Sequence, residues 1–186
     1  MTEQERLFWV SKAMALGASQ AWMIAIDDVV MDPRARLKCR VPLCSSFGKN
    51  LMCPPFLLSY RESEEAIRRY NWGLLVKLEV QAIIERDRDL IHAGALDLHK
   101  IINQLEKVAF ERGYRFAAGL IGGTCRLCDR CAAETGGTIC RHPFEARPSM
   151  EAMGIDVVAT LERLGIEAPE FPPRDKVEWI GLLLLE

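Results

Sequence analysis

Asp87-Arg-Asp-Leu-Ile-His-Ala-Gly-Ala-Leu-Asp-Leu-His-Lys-Ile-Ile-Asn-Gln-Leu-Glu-Lys-Val-Ala-Phe-Glu-Arg112 is followed by Gly113, by Arg115-Phe-Ala-Ala-Gly-Leu-Ile121 and by Gly122-Gly-Thr-Cys125. Ile91, Ala95, Leu98, Ile102, Leu105 and Ala109 recur at spacings of 4, 3, 4, 3 and 4, which is the period of a helix with one apolar face. Gly113 is a good stop for that helix. Residues 115–121 then read as a strand that delivers the chain into a cysteine loop. Helix, strand, cysteine loop is the unit from which the rest of the reading grows.

Upstream, Thr2 and Glu5 form a capping box for a helix carrying Leu7, Val10 and Met14 on one face and ending at Gly17. Residues 22–26, Trp-Met-Ile-Ala-Ile, are a short apolar run suited to a buried strand. Asp32-Pro33 opens a first cysteine loop, Ser63 is a candidate cap for a helix over 64–70, and residues 74–80 predict a second strand. Downstream, Pro148-Ser149 starts a helix to about residue 164, and 177–185 predict a last, very apolar strand. The alternation predicts an α/β fold in one domain over 1–186: a small sheet of about four strands flanked by helices, with two cysteine-rich metal-binding loops. Both loops follow predicted strands, where sites at strand carboxyl ends are usual.

Composition narrows the function classes. The 186 residues are 49% apolar, enough for a core, and their net charge of −2 argues against general nucleic-acid binding. The N-terminus shows no signal-peptide pattern and no apolar run reaches the length of a membrane span, so a cytoplasmic location is expected. A Walker loop, a G-x-G-x-x-G and a G-x-S-x-G are all absent.

Seven cysteines, in a compartment where thiols stay reduced, point to metal or redox chemistry. Cys39, Cys44 and Cys53 form a C-x4-C-x8-C group; Cys125, Cys128, Cys131 and Cys140 form C-x2-C-x2-C-x8-C. Three cysteines at successive i, i+3 positions let three thiolates converge, as in ferredoxin-type iron–sulfur loops. Structural zinc more often takes two separated C-x2-C knuckles. A [4Fe-4S] cluster is the expected occupant of the second group and zinc the alternative. Four thiolates saturate such a cluster. Three leave one iron for a water or a substrate, and such an open position is the mark of a catalytic site; a [3Fe-4S] cluster, a Cys3His zinc or a fourth ligand such as Asp or His from elsewhere are the alternatives. Either Cys140 or Cys53, itself followed by Pro54, completes the Cys125, Cys128 and Cys131 triplet. The short loop to Cys140 costs less closure entropy.

Basic residues gather near the thiols: Lys38, Arg40 and Lys49 lie within 38–53 with no acidic residue among them. Such charges lower thiol pKa values and offset an anionic cluster. His92 and His99 read as partly exposed histidines on the long helix. His142, two residues after Cys140, is a candidate ligand or hydrogen-bond donor.

Cys39-Arg-Val-Pro-Leu-Cys44, Phe47-Gly48-Lys49 and Cys53-Pro54-Pro55, with the second cysteine motif, Cys140-Arg-His-Pro143, Ala146-Arg-Pro-Ser-Met-Glu151 and Gly154-Ile-Asp-Val157, resemble a prokaryotic family of predicted metal-binding proteins of unknown function. The resemblance covers nearly the whole chain. It implies that all seven cysteines are metal ligands and that relatives are frequent in anaerobic bacteria and archaea, but it supplies no reaction. Arg141, Arg147, Ser149, Glu151 and Asp156 match its second motif as groups beside the metal or the substrate; capping explains Ser149 and Glu151 almost as well.

Three functions compete. In the first, the four-cysteine cluster relays electrons to a three-cysteine cluster whose open iron binds a small anionic substrate held by Lys49 or Arg40. In the second, the chain is a ferredoxin-like carrier for a redox partner protein, with no substrate of its own. The third is a zinc-stabilised interaction module.

Overall fold

The computed structural model describes all 186 residues, Met1–Glu186. Four strands, β1 (Gln20–Ala25), β2 (Trp72–Gln81), β3 (Ala118–Leu120) and β4 (Lys176–Leu185), form one sheet in the order β1-β2-β4-β3, every neighbouring pair antiparallel. Around it lie α1 (Glu3–Ala15), α2 (Pro33–Leu37), α3 (Tyr60–Ile67), α4 (Arg88–Glu111) and α5 (Val157–Arg163). β2, α4 and β3 make a crossover with β4 inserted between its two parallel strands, a split βαβ unit.

The apolar run at the end of the chain is explained by burial on both faces. In β4, every residue from Ile180 to Leu185 is buried. Leu183 and Leu185 join Leu74 and Val76 of β2 beneath α1 and α4, where Trp9, Leu98, Ile102 and Leu105 pack. Ile180, Leu182 and Leu184 join Leu75 on the other face with Ile67, Met150, Ile155 and Leu161. A strand covered on both sides needs apolar residues at every position, so it loses the alternation of a half-exposed strand. Each fully buried Leu or Ile in these layers stabilises the fold by about 2 kcal/mol.

The α4 stripe is buried from Ala95 through Ala109, as its spacing predicts. Two expectations are corrected. Ser59, with Glu62 completing a capping box, starts α3, while Ser63 is fully buried inside it. The helix expected from Pro148 is instead a 3-10 turn, Glu151–Met153, then Gly154 at φ 93°, then α5 capped by Asp156. The left-handed glycine breaks what periodicity alone would continue.

The strand ends also differ from expectation. β1 and β3 run in opposite directions, so their carboxyl ends do not share one end of the sheet. The cysteine loops meet for another reason. The β1–β2 connection supplies Val29 and Ile67, and the β3–β4 connection supplies Met150, Ile155 and Leu161, to one core layer on the same sheet face. No helix is long and apolar enough to cross a membrane.

Candidate metal centre

The second cysteine loop begins where Gly122 passes over β4. A Cβ at Gly122 would lie 2.9 Å from the Ile180 carbonyl oxygen and 3.3 Å from the Trp179 ring, so only glycine lets the backbone run this close. Beyond Cys131 the chain makes a short 3-10 turn, Ala132–Thr135, with the Glu134 carboxylate accepting the Cys131 N–H at 3.2 Å. Arg141 Nη1 donates to the Arg130 carbonyl at 2.8 Å, drawing the chain back beside Cys131 just after Cys140. Cys125, Cys128, Cys131 and Cys140 therefore line one pocket, together with Leu51, Leu127, His142 and Ala146. No carboxylate is among its lining residues.

Backbone donors serve these sulfurs. The N–H of Leu51 donates to Cys131 Sγ and that of His142 to Cys140 Sγ, each at 3.4 Å. Burial pushes the Cys125 thiol up, the nearby Cys140 and Cys128 thiols add to this, and the Leu127 and Arg147 N–H groups pull it back down. N–H groups aimed at sulfur favour a thiolate and its metal-bound form.

The end of the loop is moored to α4. His99 Nε2 bonds the Glu145 carbonyl at 2.8 Å, and Asn103 Nδ2 donates to the same oxygen at 2.9 Å. His99 is 2% exposed, which corrects the expectation of a partly exposed residue; His92 is exposed. Arg147 pairs with Glu106 at 2.5 Å. His142 lines the cysteine pocket, and its Nδ1 lies 3.3 Å from Glu145 Oε2.

The first cysteine loop is a succession of tight turns. The N–H of Cys44 donates to the Cys39 carbonyl at 3.1 Å, and that of Gly48, at φ 68°, to the Pro54 carbonyl at 2.9 Å. Burial raises the Cys39 thiol, and the Cys44 thiol beside it adds to the rise. Cys53 is pushed up to about 11, first by burial, with a Thr124 hydrogen bond opposing and the Cys44, Cys39 and Cys125 thiols adding. Cys39 and Cys53 thus both sense the Cys44 thiol. Lys38, Arg40 and Lys49 are exposed around them.

The two loops touch. Asn50 Nδ2 donates to the Cys125 carbonyl at 2.8 Å while Asn50 Oδ1 accepts the Met52 N–H at 2.9 Å. Cys53 Sγ lies 3.3 Å from the Thr124 hydroxyl. Neither Asn50 nor Thr124 was singled out by the sequence. Their signal was position: Asn50 stands three residues before Cys53, and Thr124 directly precedes Cys125.

All seven cysteines are free thiols. No three His, Cys, Asp or Glu side chains are gathered within reach of a single metal ion. The donor set nevertheless suits a thiolate-bound metal group: four cysteines on one apolar pocket, sulfur-directed N–H donors and no competing disulfide. Neither a curated protein nor a solved structure matches the chain. Residues 22–185 match the family described as predicted metal-binding protein (DUF2284), a span that includes every cysteine, and the chain belongs to this family.

Proposed function

We propose that this metal-binding protein is an iron–sulfur protein with two [4Fe-4S] sites. One is held by Cys125, Cys128, Cys131 and Cys140. The other is held by Cys39, Cys44 and Cys53, with its fourth position left to a group other than cysteine. The observation that carries this reading is the single apolar pocket lined by the four cysteines of the second loop. It favours Cys140 over Cys53 as the fourth ligand, because Cys140 lines that pocket and Cys53 does not. Such clusters, when bound, supply one-electron transfer and, at an iron lacking cysteine, a position for a substrate.

The residues of the chain then have definite tasks. Leu51 and His142 hold N–H groups on two sulfurs, which stabilises the anionic form. Exposed Lys38, Arg40 and Lys49 draw a small anionic substrate toward the first loop. Asn50 and the Cys53–Thr124 contact keep the two sites adjacent, as electron relay requires.

A second reading, electron delivery to a partner protein, is favoured by the apolar side chains exposed on both loops: Leu43 is 70% exposed, Ile139 82% and Phe144 89%. Exposed apolar residues around a redox site suit transient docking.

The test is anaerobic reconstitution of the full chain with iron and sulfide as wild type, Cys140→Ser and Cys53→Ser. The expected outcome is loss of a different cluster signal in each variant. Loss of the same signal in both would contradict the partition, and zinc uptake without sulfide would contradict the iron–sulfur reading.

A further inference from the structure

Residues 33–61 carry six basic side chains and no acidic one, in a chain whose net charge is −2. Two of the six are neutralised: Arg34 pairs with Asp32, and Arg61 with Glu65. Arg36, Lys38, Arg40 and Lys49 pair with no carboxylate, and the last three are exposed. Cations gathered without counter-ions repel one another, so the cluster does nothing for the stability of the segment.

The same segment exposes apolar side chains. Val41 is 60% exposed and Leu43 70%, and Leu37, Phe56 and Leu58 are each about half exposed. Tight turns gather them. The N–H groups of Arg40 and Val41 both donate to the Leu37 carbonyl at 2.9 Å, the Cys44 N–H donates to the Cys39 carbonyl at 3.1 Å, and the Arg36 guanidinium donates to the Leu58 carbonyl. Leu51 and Cys53 are buried instead, and meet the second cysteine loop at Cys131 and Thr124. The segment thus has an inner side packed on that loop and an outer side of apolar side chains set among unpaired cations.

The chemistry of the outer side selects its occupant. Protein interfaces use both signs of charge to fix register, and no outer residue is acidic. Nucleic acid would neutralise the cations but offers aliphatic side chains no hydrocarbon to enter. An anionic bilayer offers uniform negative charge with hydrocarbon just beneath it, which suits both.

We propose that the outer side of residues 36–58 docks the protein on an anionic membrane surface. Leu37, Val41, Leu43 and Leu58 enter the headgroup layer, and Arg36, Lys38, Arg40 and Lys49 lie against lipid phosphates. Such binding is peripheral and needs no membrane-spanning helix. It holds whichever metal the thiols carry. Cys39 and Cys44 belong to the same turns, so docking sets the first cysteine loop at the bilayer surface, where phospholipid and a small soluble anion compete for the same cations.

The test is flotation of the anaerobically purified full chain with vesicles of phosphatidylcholine, with and without phosphatidylglycerol. The wild-type chain is expected to float only with the phosphatidylglycerol vesicles. Leu43→Ser and the double variant Lys38→Glu/Arg40→Glu are each expected to weaken that binding about tenfold or more. Leu43→Trp is expected to bind, with tryptophan emission that shifts to the blue and is quenched by brominated lipid. Absence of wild-type flotation would overturn the proposal and leave the exposed side chains to a partner protein. Equal flotation on both vesicle types, undiminished binding by Leu43→Ser or the double variant, or an unshifted Leu43→Trp emission would overturn it as well.

Discussion

The side-chain amide of Asn50 donates a 2.8 Å hydrogen bond to the carbonyl of Cys125, so the first cysteine loop holds the opening of the second. The same side chain accepts the Met52 N–H, which fixes the turn leading into Cys53. One residue thereby sets the geometry at both groups of thiols.

Asn50→Ala removes both bonds and is expected to destabilise the chain by about 1–2 kcal/mol. A denaturant midpoint measures that loss. On metal-loaded protein the same variant is expected to release metal to a chelator faster than wild type. An unchanged release rate would mean that the loops keep their relation without Asn50.

Gly122→Ala places a methyl group 2.9 Å from the Ile180 carbonyl oxygen, against backbone that cannot rotate away. The expected cost is about 1–3 kcal/mol, together with weaker metal retention by the second loop. Gly136 has open space where its Cβ would be, and its cost is confined to its positive φ of 78°. Thermal unfolding of Gly122→Ala and Gly136→Ala side by side separates crowding from backbone strain.

His99 makes stability depend on pH. Burial, its largest influence, holds its pKa below the ordinary 6.5, while the Glu145 carbonyl opposes that shift. The unfolded chain therefore binds the proton first. The contribution is complete above pH of about 6.5 and is lost as pH falls below it toward the folded value. His99→Gln keeps a hydrogen-bonding side chain and is expected to flatten this acid limb. Urea midpoints between pH 5 and 7.5 check it, and an unflattened limb would assign the dependence to other groups.

Much of the architecture was legible because period and burial are local. The α4 stripe and all four strands follow from spacing and apolar runs. Strand direction did not follow, because continuously apolar strands such as Ile180–Leu185 carry no mark of how they pair. The start of α3 was readable in Ser59-Tyr-Arg-Glu62, a capping box that stands four residues before Ser63. The cysteine groups were legible as spacing. Their meeting was not, because Asn50, Thr124 and His99 act across 75, 71 and 46 positions of chain.

The proposed pair of iron–sulfur clusters on the seven thiols is open to direct chemical analysis. The measurement is iron, acid-labile sulfide and zinc per chain after anaerobic purification, read with absorption and EPR spectra. Two [4Fe-4S] clusters are expected to give about eight iron and eight sulfide per chain with negligible zinc. Zinc without sulfide, persisting after attempted cluster reconstitution, would contradict it and make the cysteine loops a structural metal site.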